Sequence, residues 1–585
     1  MSDPSQSKST QSEPLVLPAR FNIADHFILP NLAPERIARP CLVCGGEALT
    51  FGALHEQSNR VAGALAGLGI RPGERVALLL RDSLLFPPAF WGAVRCGALP
   101  VPLNTVLTAP ETRAYLADSE ARVLIVDAEI WPRVAPALEG PGSPRHVLTV
   151  GLSVGGEIPG RPSLESLMAE APPTFEAVTT TTDTPAFWLY TSGSTGLPKA
   201  AVHHQRDMAH VAHHYLRHVL RLHGDDLAYS APKLSFAYGL GNSLYFPLAS
   251  GSAAVIDPGP ATAESAFAVL ARHRPSVFYG VPSLFRAMVA LHEARLAGRA
   301  PCPGPLPRLE HLRLAVSGGE VLPPTVLERW REHFGLPILD GVGSTEALHF
   351  YLANTPQDVA PGSAGRPVPG YDLRLVGEGG REVAPDEEGE LWLRGEAVAA
   401  GYWRKPERTR AVFRDGWFAT GDRFRRDGEG RYFFRGRVDD VFKAGGSWVN
   451  PEEVEQALLA HPGVAECAVV GNPDPEGLME VLAYVVLGGE TRDGSDDGKS
   501  GEGSLPVTDE ALRAHLAGRL APFKIPARFQ HVDALPRTAS GKVRRFLLRE
   551  GNPGEPPREL LDGSGGDSGR GSGGDSGGPP LVAGG

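Results

Sequence analysis

The sequence predicts an α/β protein. It has a large N-terminal domain of stacked α/β layers with a β-rich subdomain, then a small α+β C-terminal domain. Three observations carry this. Short apolar strands alternate with amphipathic helices from Phe21 onward, the rhythm of a mainly parallel sheet. From about Pro367 the texture changes to strands separated by Gly/Asp turns. Past Arg435-Gly436-Arg437-Val438-Asp439-Asp440 it changes again, to a short mixed unit.

Taken in order, Val76–Leu80 reads as a strand, Ala89–Cys96 as a helix and Val101–Leu103 as the next strand. Further strands are Val123–Val126, Ala186–Tyr190, Ala253–Ile256, Ser276–Phe278 and Leu312–Val316. The β-rich part has strands at Leu373–Val376, Gly389–Leu393 and Arg431–Phe434. The last unit has helices at Glu452–Leu459 and Glu510–Leu520 around strands Ala465–Val470 and Val481–Val486. The expected divisions are a disordered leader (1–18), the N-terminal domain (19–436), the C-terminal domain (437–550) with a flexible Gly/Asp/Ser insertion at 488–504, and a disordered Gly-rich tail (551–585).

A chain of 585 residues suggests two to four structural units. Its net charge of −11 argues against broad electrostatic attachment to nucleic acid or to an anionic membrane. The apolar run Val76–Leu103 is interrupted by Arg81, Asp82, Pro87, Pro88 and Arg95, so it is not a membrane span. The leader lacks the apolar stretch of a signal peptide. Five cysteines without a framework fit a reducing compartment, and a cytoplasmic protein is expected. Cys41 and Cys44 form a CxxC with no partner motif at zinc-binding spacing, and they read as part of a strand.

The most informative segment is Thr191-Ser192-Gly193-Ser194-Thr195-Gly196-Leu197-Pro198-Lys199, directly after a strand. Glycines let backbone N–H groups approach phosphate oxygens, hydroxyls add donors, and Lys199 adds positive charge. The alternative is a flexible Ser/Gly linker, which the adjoining strand and the Pro-Lys ending disfavour. Two residues separate Gly196 from Lys199, so this is not the GxxxxGK[ST] loop of kinases and ATPases.

The segment resembles the signature of the adenylate-forming superfamily, which holds acyl-CoA synthetases, luciferases and peptide-synthetase adenylation domains. Five further segments fit in the family's order, over roughly residues 20–548. Asp340-Gly341-Val342-Gly343-Ser344-Thr345-Glu346 resembles the adenine and magnesium segment. By that resemblance Thr345 touches phosphate and Glu346 ligates Mg²⁺, for which a hard carboxylate is apt. Ser317-Gly318-Gly319-Glu320 resembles the stretch along the adenine. Asp422, in Thr420-Gly421-Asp422, and Arg437 resemble the ribose contacts. Lys542, in Pro536–Lys542, resembles the catalytic lysine that bridges substrate carboxylate and nucleotide. Read alone, Lys542 is a solvated lysine in a basic run with Arg544 and Arg545.

The resemblance implies two half-reactions, with ATP, Mg²⁺ and coenzyme A as cofactors and co-substrates. It also implies a mobile C-terminal domain that rotates about a hinge at Asp439. Lys443-Ala444-Gly445-Gly446-Ser447-Trp448 resembles the loop that enters the site for thioester formation, where Gly445 and Gly446 let a pantetheine arm pass. An ordinary turn before Pro451 is the competing reading.

For the acid, Leu234–Asn242 and Gly343–His349 resemble the benzoate-CoA ligase branch. This implies an acyl pocket of Phe236, Ala237, Tyr238, Gly343, His349 and Phe350, a small aromatic-walled cavity. Core packing is the competing reading of Phe236 and Tyr238. The sequence departs from that branch at Phe350, where an aliphatic residue is usual, at Ala200, where a Gly is usual, and at Gln205, where a second His is expected. His210, His214 and His218 are spaced to share one helix face, which reads as a solvated or part-packed face, since three ligands from one helix rarely close around an ion. The expected partners are an aryl acid, ATP and CoA, and a homodimer is left open. The alternatives are loading of a free carrier protein's phosphopantetheine thiol and a catalytically dead sensor on the same scaffold. Intact Lys199, Glu346, Asp422 and Lys542 argue against the sensor.

Overall fold

The computed structural model describes residues 15–138, 142–151, 158–192, 198–301, 308–377, 379–438, 440, 442–444, 447–474, 479–488, 507–517, 519–537 and 541–549. The expected leader, the 488–504 insertion and the tail lie almost wholly outside these residues.

Two parallel sheets form where the sequence reading expected one. The larger has nine strands. Its central six, in spatial order Ile338–Gly343, Leu314–Gly318, Val277–Gly280, Leu227–Ser230, Ala253–Ile256 and Pro40–Cys44, are all parallel. Antiparallel strands close both edges. The smaller sheet is wholly parallel, in the order Leu99–Pro102, Arg75–Leu79, Val123–Asp127 and His146–Val150. Near-continuous apolar strands of this kind are buried on both faces by helices. Helix Phe86–Arg95 is buried along its whole length between the layers. Cys41 and Cys44 lie on the strand Pro40–Cys44.

The segment Thr191–Lys199 closes a separate antiparallel hairpin, Pro185–Ser192 with Pro198–His204, in which Thr191 pairs with Lys199. The β-rich part is a five-stranded sheet containing Glu388–Gly395, Trp417–Arg426 and Tyr432–Arg437. The last unit has its own apolar clusters, built on strands Val464–Pro473 and Met479–Leu487 and helices Pro451–Leu459 and Asp509–Leu516. The second of these helices stops at Leu516, short of the expected Leu520, because Ala517 is extended. No helix among the described residues is long and apolar enough to cross a membrane.

Candidate functional site

The strand order brings distant segments to one edge. Parallel pairing sets Ser317 beside Asp340 and Gly318 beside Gly341 at the C-terminal ends of neighbouring strands. That is where open α/β sheets receive ligands.

Next to this edge stands an ion pair of a half-buried lysine and a buried glutamate. Lys199 Nζ is 3.6 Å from Glu346 Oε1. The Tyr402 hydroxyl joins the two: Lys199 donates to it at 3.0 Å, and it donates to Glu346 at 2.6 Å. Lys199 also lies over the Tyr402 ring, 4.5 Å from its centroid. Glu346 is only 6% exposed. Burial pushes its carboxyl up, but Lys199, the Tyr402 hydroxyl and, further out, Lys542 outweigh that and hold it below the usual range. Burial lowers Lys199, against the pull of Glu346. The turn carrying Thr345 is tied to the hairpin: His203 Nε2 meets the Thr345 carbonyl at 2.9 Å, and His203 Nδ1 meets Asp207 at 2.8 Å.

Two further carboxylates face the same region. Burial raises Asp340 to about 8, against the donors of Ser317, Gly341 and Leu322. Asp422 pairs with Arg437 at 2.7 Å across adjacent strands. Burial raises Asp422, while Arg437 and then Lys542 pull it down. Gly421, at φ +72°, lets the Arg437 guanidinium lie against the backbone, 3.0 Å from where a Cβ would stand. Val342 is half-buried on the strand Ile338–Gly343, and Gly319 takes φ +93°. Glu320 is exposed and accepts from Ser283 N–H and Oγ at 3.3 and 3.4 Å.

Of the expected acyl residues, Tyr238, His349 and Phe350 form one aromatic cluster. Phe236 precedes helix Ala237–Leu240, which widens into a π-helix over Gly241–Tyr245. Tyr238 stacks on Phe350 at 5.0 Å and meets His349 at 5.6 Å. Its hydroxyl donates to the Val316 carbonyl at 3.1 Å. Tyr215 and Phe246 each lie 4.9 Å from His349. His349 Nε2 is 3.3 Å from Asn242 Oδ1, and burial draws its imidazole down to about 3. The Phe350 ring fills the space that side chains at Gly318 and Gly341 would need. Gly343 pairs with Phe350 to close the turn, and Leu348 within it adopts φ +64°, a strained value for leucine. A cavity of about 470 Å³ is lined by Ala231, Pro232, Thr262, Val281, Ser283 and Leu284. None of the expected acyl residues lines it.

Lys542 comes from the C-terminal unit and is exposed, yet its charge bears on both Glu346 and Asp422. Lys443 lies on the strand Phe442–Ala444 of a short hairpin. Gly193, Ser194, Thr195, Gly196, Asp439, Gly445 and Gly446 lie outside the described residues, as does the side chain of Ser192.

The histidine face differs from the even spacing expected. Ala212–Leu220 is a π-helix, so His213 joins the set, 4.9 Å from His214 and 5.5 Å from His218. His214 is buried beneath Gly370, and burial with its histidine neighbours lowers it to about 4. Among the described residues, no three His, Cys, Asp or Glu are arranged to hold a metal ion.

Sequence reasoning missed Tyr402, Asn242, Tyr215 and the His203–Asp207 pair. For Tyr402 a signal existed, the aromatic Gly401-Tyr402-Trp403 cluster in a loop. The others became legible only through contacts across the fold.

Comparison with known proteins adds an independent line. A family model described as AMP-binding enzyme matches residues 31–403, and one described as AMP-binding enzyme C-terminal domain matches 453–542. The chain is 41% identical over 535 residues to a benzoate–CoA ligase of Thauera aromatica, covering 91% of this chain and 96% of that protein. It is 39% identical to a 4-hydroxybenzoate–CoA/benzoate–CoA ligase of Rhodopseudomonas palustris, covering 91% and 94%. Among solved structures, a benzoate CoA ligase from Burkholderia xenovorans LB400 matches with TM-score 0.78 and 38% identity, over 90% of this chain and all of that one. An anthranilate CoA ligase in complex with anthranoyl-AMP matches with TM-score 0.81 and 35% identity, over 92% and 98%.

Proposed function

We propose, from the premise that this chain belongs to the AMP-binding enzyme family, a function for it as an aryl acid–CoA ligase. The enzyme is an acid–thiol ligase that uses ATP, Mg²⁺ and coenzyme A. It activates an aryl carboxylic acid, benzoate or a substituted benzoate, and passes the acyl group to CoA.

In the first half-reaction a carboxylate oxygen attacks the α-phosphorus of ATP, and pyrophosphate leaves. In the second the CoA sulfur attacks the acyl carbon, AMP leaves, and the thiol proton passes to solvent. The first step needs in-line positioning and neutralisation of charge more than an acid–base pair. The observation that best supports this assignment of roles is the buried Lys199–Tyr402–Glu346 group beside the Ser317/Asp340 strand ends.

In this reading Lys199 and the segment Thr191–Gly196 grip the pyrophosphate side, and Thr345 touches phosphate. Glu346 is an ionised, oxygen-only donor, which fits Mg²⁺ bound through one carboxylate and the substrate phosphates. The ion would neutralise phosphate charge there. Ser317, Gly318, Gly319, Glu320, Asp340, Gly341 and Val342 hold the adenine side, and Asp422 with Arg437 holds the ribose. Lys542 approaches the reacting carboxylate, Asp439 is the hinge, and Lys443, Gly445 and Gly446 serve the thiol arm. Tyr238, His349 and Phe350, with Phe236, Ala237 and Gly343, receive the ring. The division at 436/437 and a cytoplasmic location belong to the same proposal.

The test is pyrophosphate exchange with ATP, Mg²⁺ and a panel of benzoates, followed by CoA addition. Exchange and CoA-dependent thioester are expected with benzoate. No exchange with any aryl acid would sink the reading. Exchange without thioester release to CoA would transfer it to a carrier-protein thiol.

A further inference from the structure

Helix Ala109–Ser119 carries none of the residues assigned to chemistry, yet three of its side chains reach the parts that are. Glu111, Tyr115 and Asp118 stand at i, i+4 and i+7, one face of the helix. Glu111 Oε1 accepts from Arg544 Nη2 at 3.2 Å, a contact between the first part of the chain and the last. The Tyr115 ring meets Tyr190 edge-on at 4.7 Å. Asp118 accepts from the Tyr190 hydroxyl at 2.7 Å and pairs with Lys405 at 2.9 Å. Tyr190 immediately precedes Thr191, and Lys405 lies three residues past Tyr402. One helix face therefore touches the C-terminal unit, the base of the phosphate loop and the segment bearing Tyr402.

The stretch that carries Lys542 is braced on its own side as well. Arg544 N–H donates to the Pro536 carbonyl at 2.7 Å, and Arg537 donates to the Gly541 carbonyl at 2.6 Å. Arg537 also pairs with Glu466 at 2.6 Å. Arg544 is two residues from Lys542, so fixing one restricts the other. A second bond between the units, Arg286 to the Ala465 carbonyl at 2.7 Å, sits elsewhere on the interface.

We propose that the Arg544–Glu111 ion pair is a latch for the adenylation half-reaction, docking the C-terminal unit on helix Ala109–Ser119 so that Lys542 faces Glu346 and Asp422. Glu111 and Arg544 are positioning residues; they act through Lys542. This rests on the role given to Lys542 under the proposed function. Both partners keep 22–23% of their side-chain surface exposed, so the pair is weak enough to open when the unit turns for the second half-reaction.

Glu111→Gln isolates the charge. Glu111 also closes a capping box with Thr108, and Gln serves that box as Glu does, so the helix keeps its cap. In Glu111→Gln and in Arg544→Gln, pyrophosphate exchange should fall by roughly two- to five-fold. Thioester formation from supplied benzoyl-adenylate and CoA should be unchanged or faster. The double variant should be no worse than either single one. Equal loss in both half-reactions, or additive losses, would overturn the latch. Hydrogen exchange over 541–549 is measured alongside, with no acid present. It should be faster in Glu111→Gln than in the unmodified enzyme, and equal exchange would also overturn the latch. If no aryl acid supports pyrophosphate exchange by the unmodified enzyme, the functional reading fails, and the hydrogen-exchange comparison still decides the latch.

Discussion

At the scale of single residues, the centre of the site is a phenol that sequence motifs did not mark. Tyr402 bonds to both a half-buried lysine and a buried carboxylate that lie 3.6 Å from each other. A hydrogen bond to an ionised group in a water-poor site is worth more than one at the surface. Tyr402→Phe keeps the ring beneath Lys199 but removes both bonds. It should lower pyrophosphate exchange by about ten- to a hundred-fold, measured at saturating acid, and cost about 1–3 kcal/mol of stability, since Glu346 and Lys199 each lose a partner. Lys542→Ala should depress adenylation while largely sparing thioester formation from supplied adenylate, assayed as two separate half-reactions. Equal loss of both halves would contradict the two-orientation scheme. Chelation of Mg²⁺ should abolish exchange, and titrating the ion back should restore it, because on the proposed reading Glu346 would share the ion with the phosphates.

At the scale of elements, the floor of the aromatic cluster is made by what two strands lack. Gly318 and Gly341 are register partners, and the Phe350 ring occupies the space above both. Gly318→Ala should therefore overpack the floor and cost about 1–3 kcal/mol, read by denaturant unfolding. Phe350→Leu in the same chain should recover most of that loss. Alone, Phe350→Leu should widen the range of ring-substituted benzoates accepted, read as kcat/KM across ortho, meta and para series. The strained Leu348 and the π-helical stretch Gly241–Tyr245 flank this floor on two sides. Irregular backbone of this kind gathers where ligands bind.

At the scale of the whole molecule, burial of neutral imidazoles ties stability to pH. His349 and His214 are held at about 3 and about 4 in the folded chain, against about 6.5 when unfolded. Below pH 6.5 the unfolded chain binds protons that the folded one refuses. The stability these groups leave intact at neutral pH is thus lost as pH falls from about 6.5 toward 4. Relative to the unmodified chain, His214→Gln should gain melting temperature at about pH 5 compared with about pH 7.5. Asp340 acts in the opposite direction: raised to about 8, it weakens the fold as pH rises from about 4 to 8. Because the two effects oppose each other between these conditions, the variants separate them: an unchanged difference in His214→Gln would count against the histidine assignment, and an unchanged difference in Asp340→Asn against the carboxyl one.

The chain's order of elements was legible because strand and helix periods are local properties. Most strands fell within a residue or two of their expected positions, as at Val123–Asp127 and Ala253–Ile256. Lys199, Glu346, Asp422 and Lys542 were legible too, each embedded in a short motif with a recognisable chemistry. What the sequence could not say is which of these would meet. The division into two parallel sheets, the Tyr402 bridge, the Phe350 ring over two glycines and the Glu111–Arg544 contact all join residues far apart in the chain. The π-helix that draws His213 into the histidine set is likewise a product of packing. By itself, then, the sequence determined the kinds of element and the chemical inventory, down to the Thr191–Lys199 segment and its lysine. Only the tertiary structure decided what that lysine meets. Pairing and burial depend on the whole chain closing on itself, and so does the loss of solvent that turns Lys199 and Glu346 from surface charges into a single buried group.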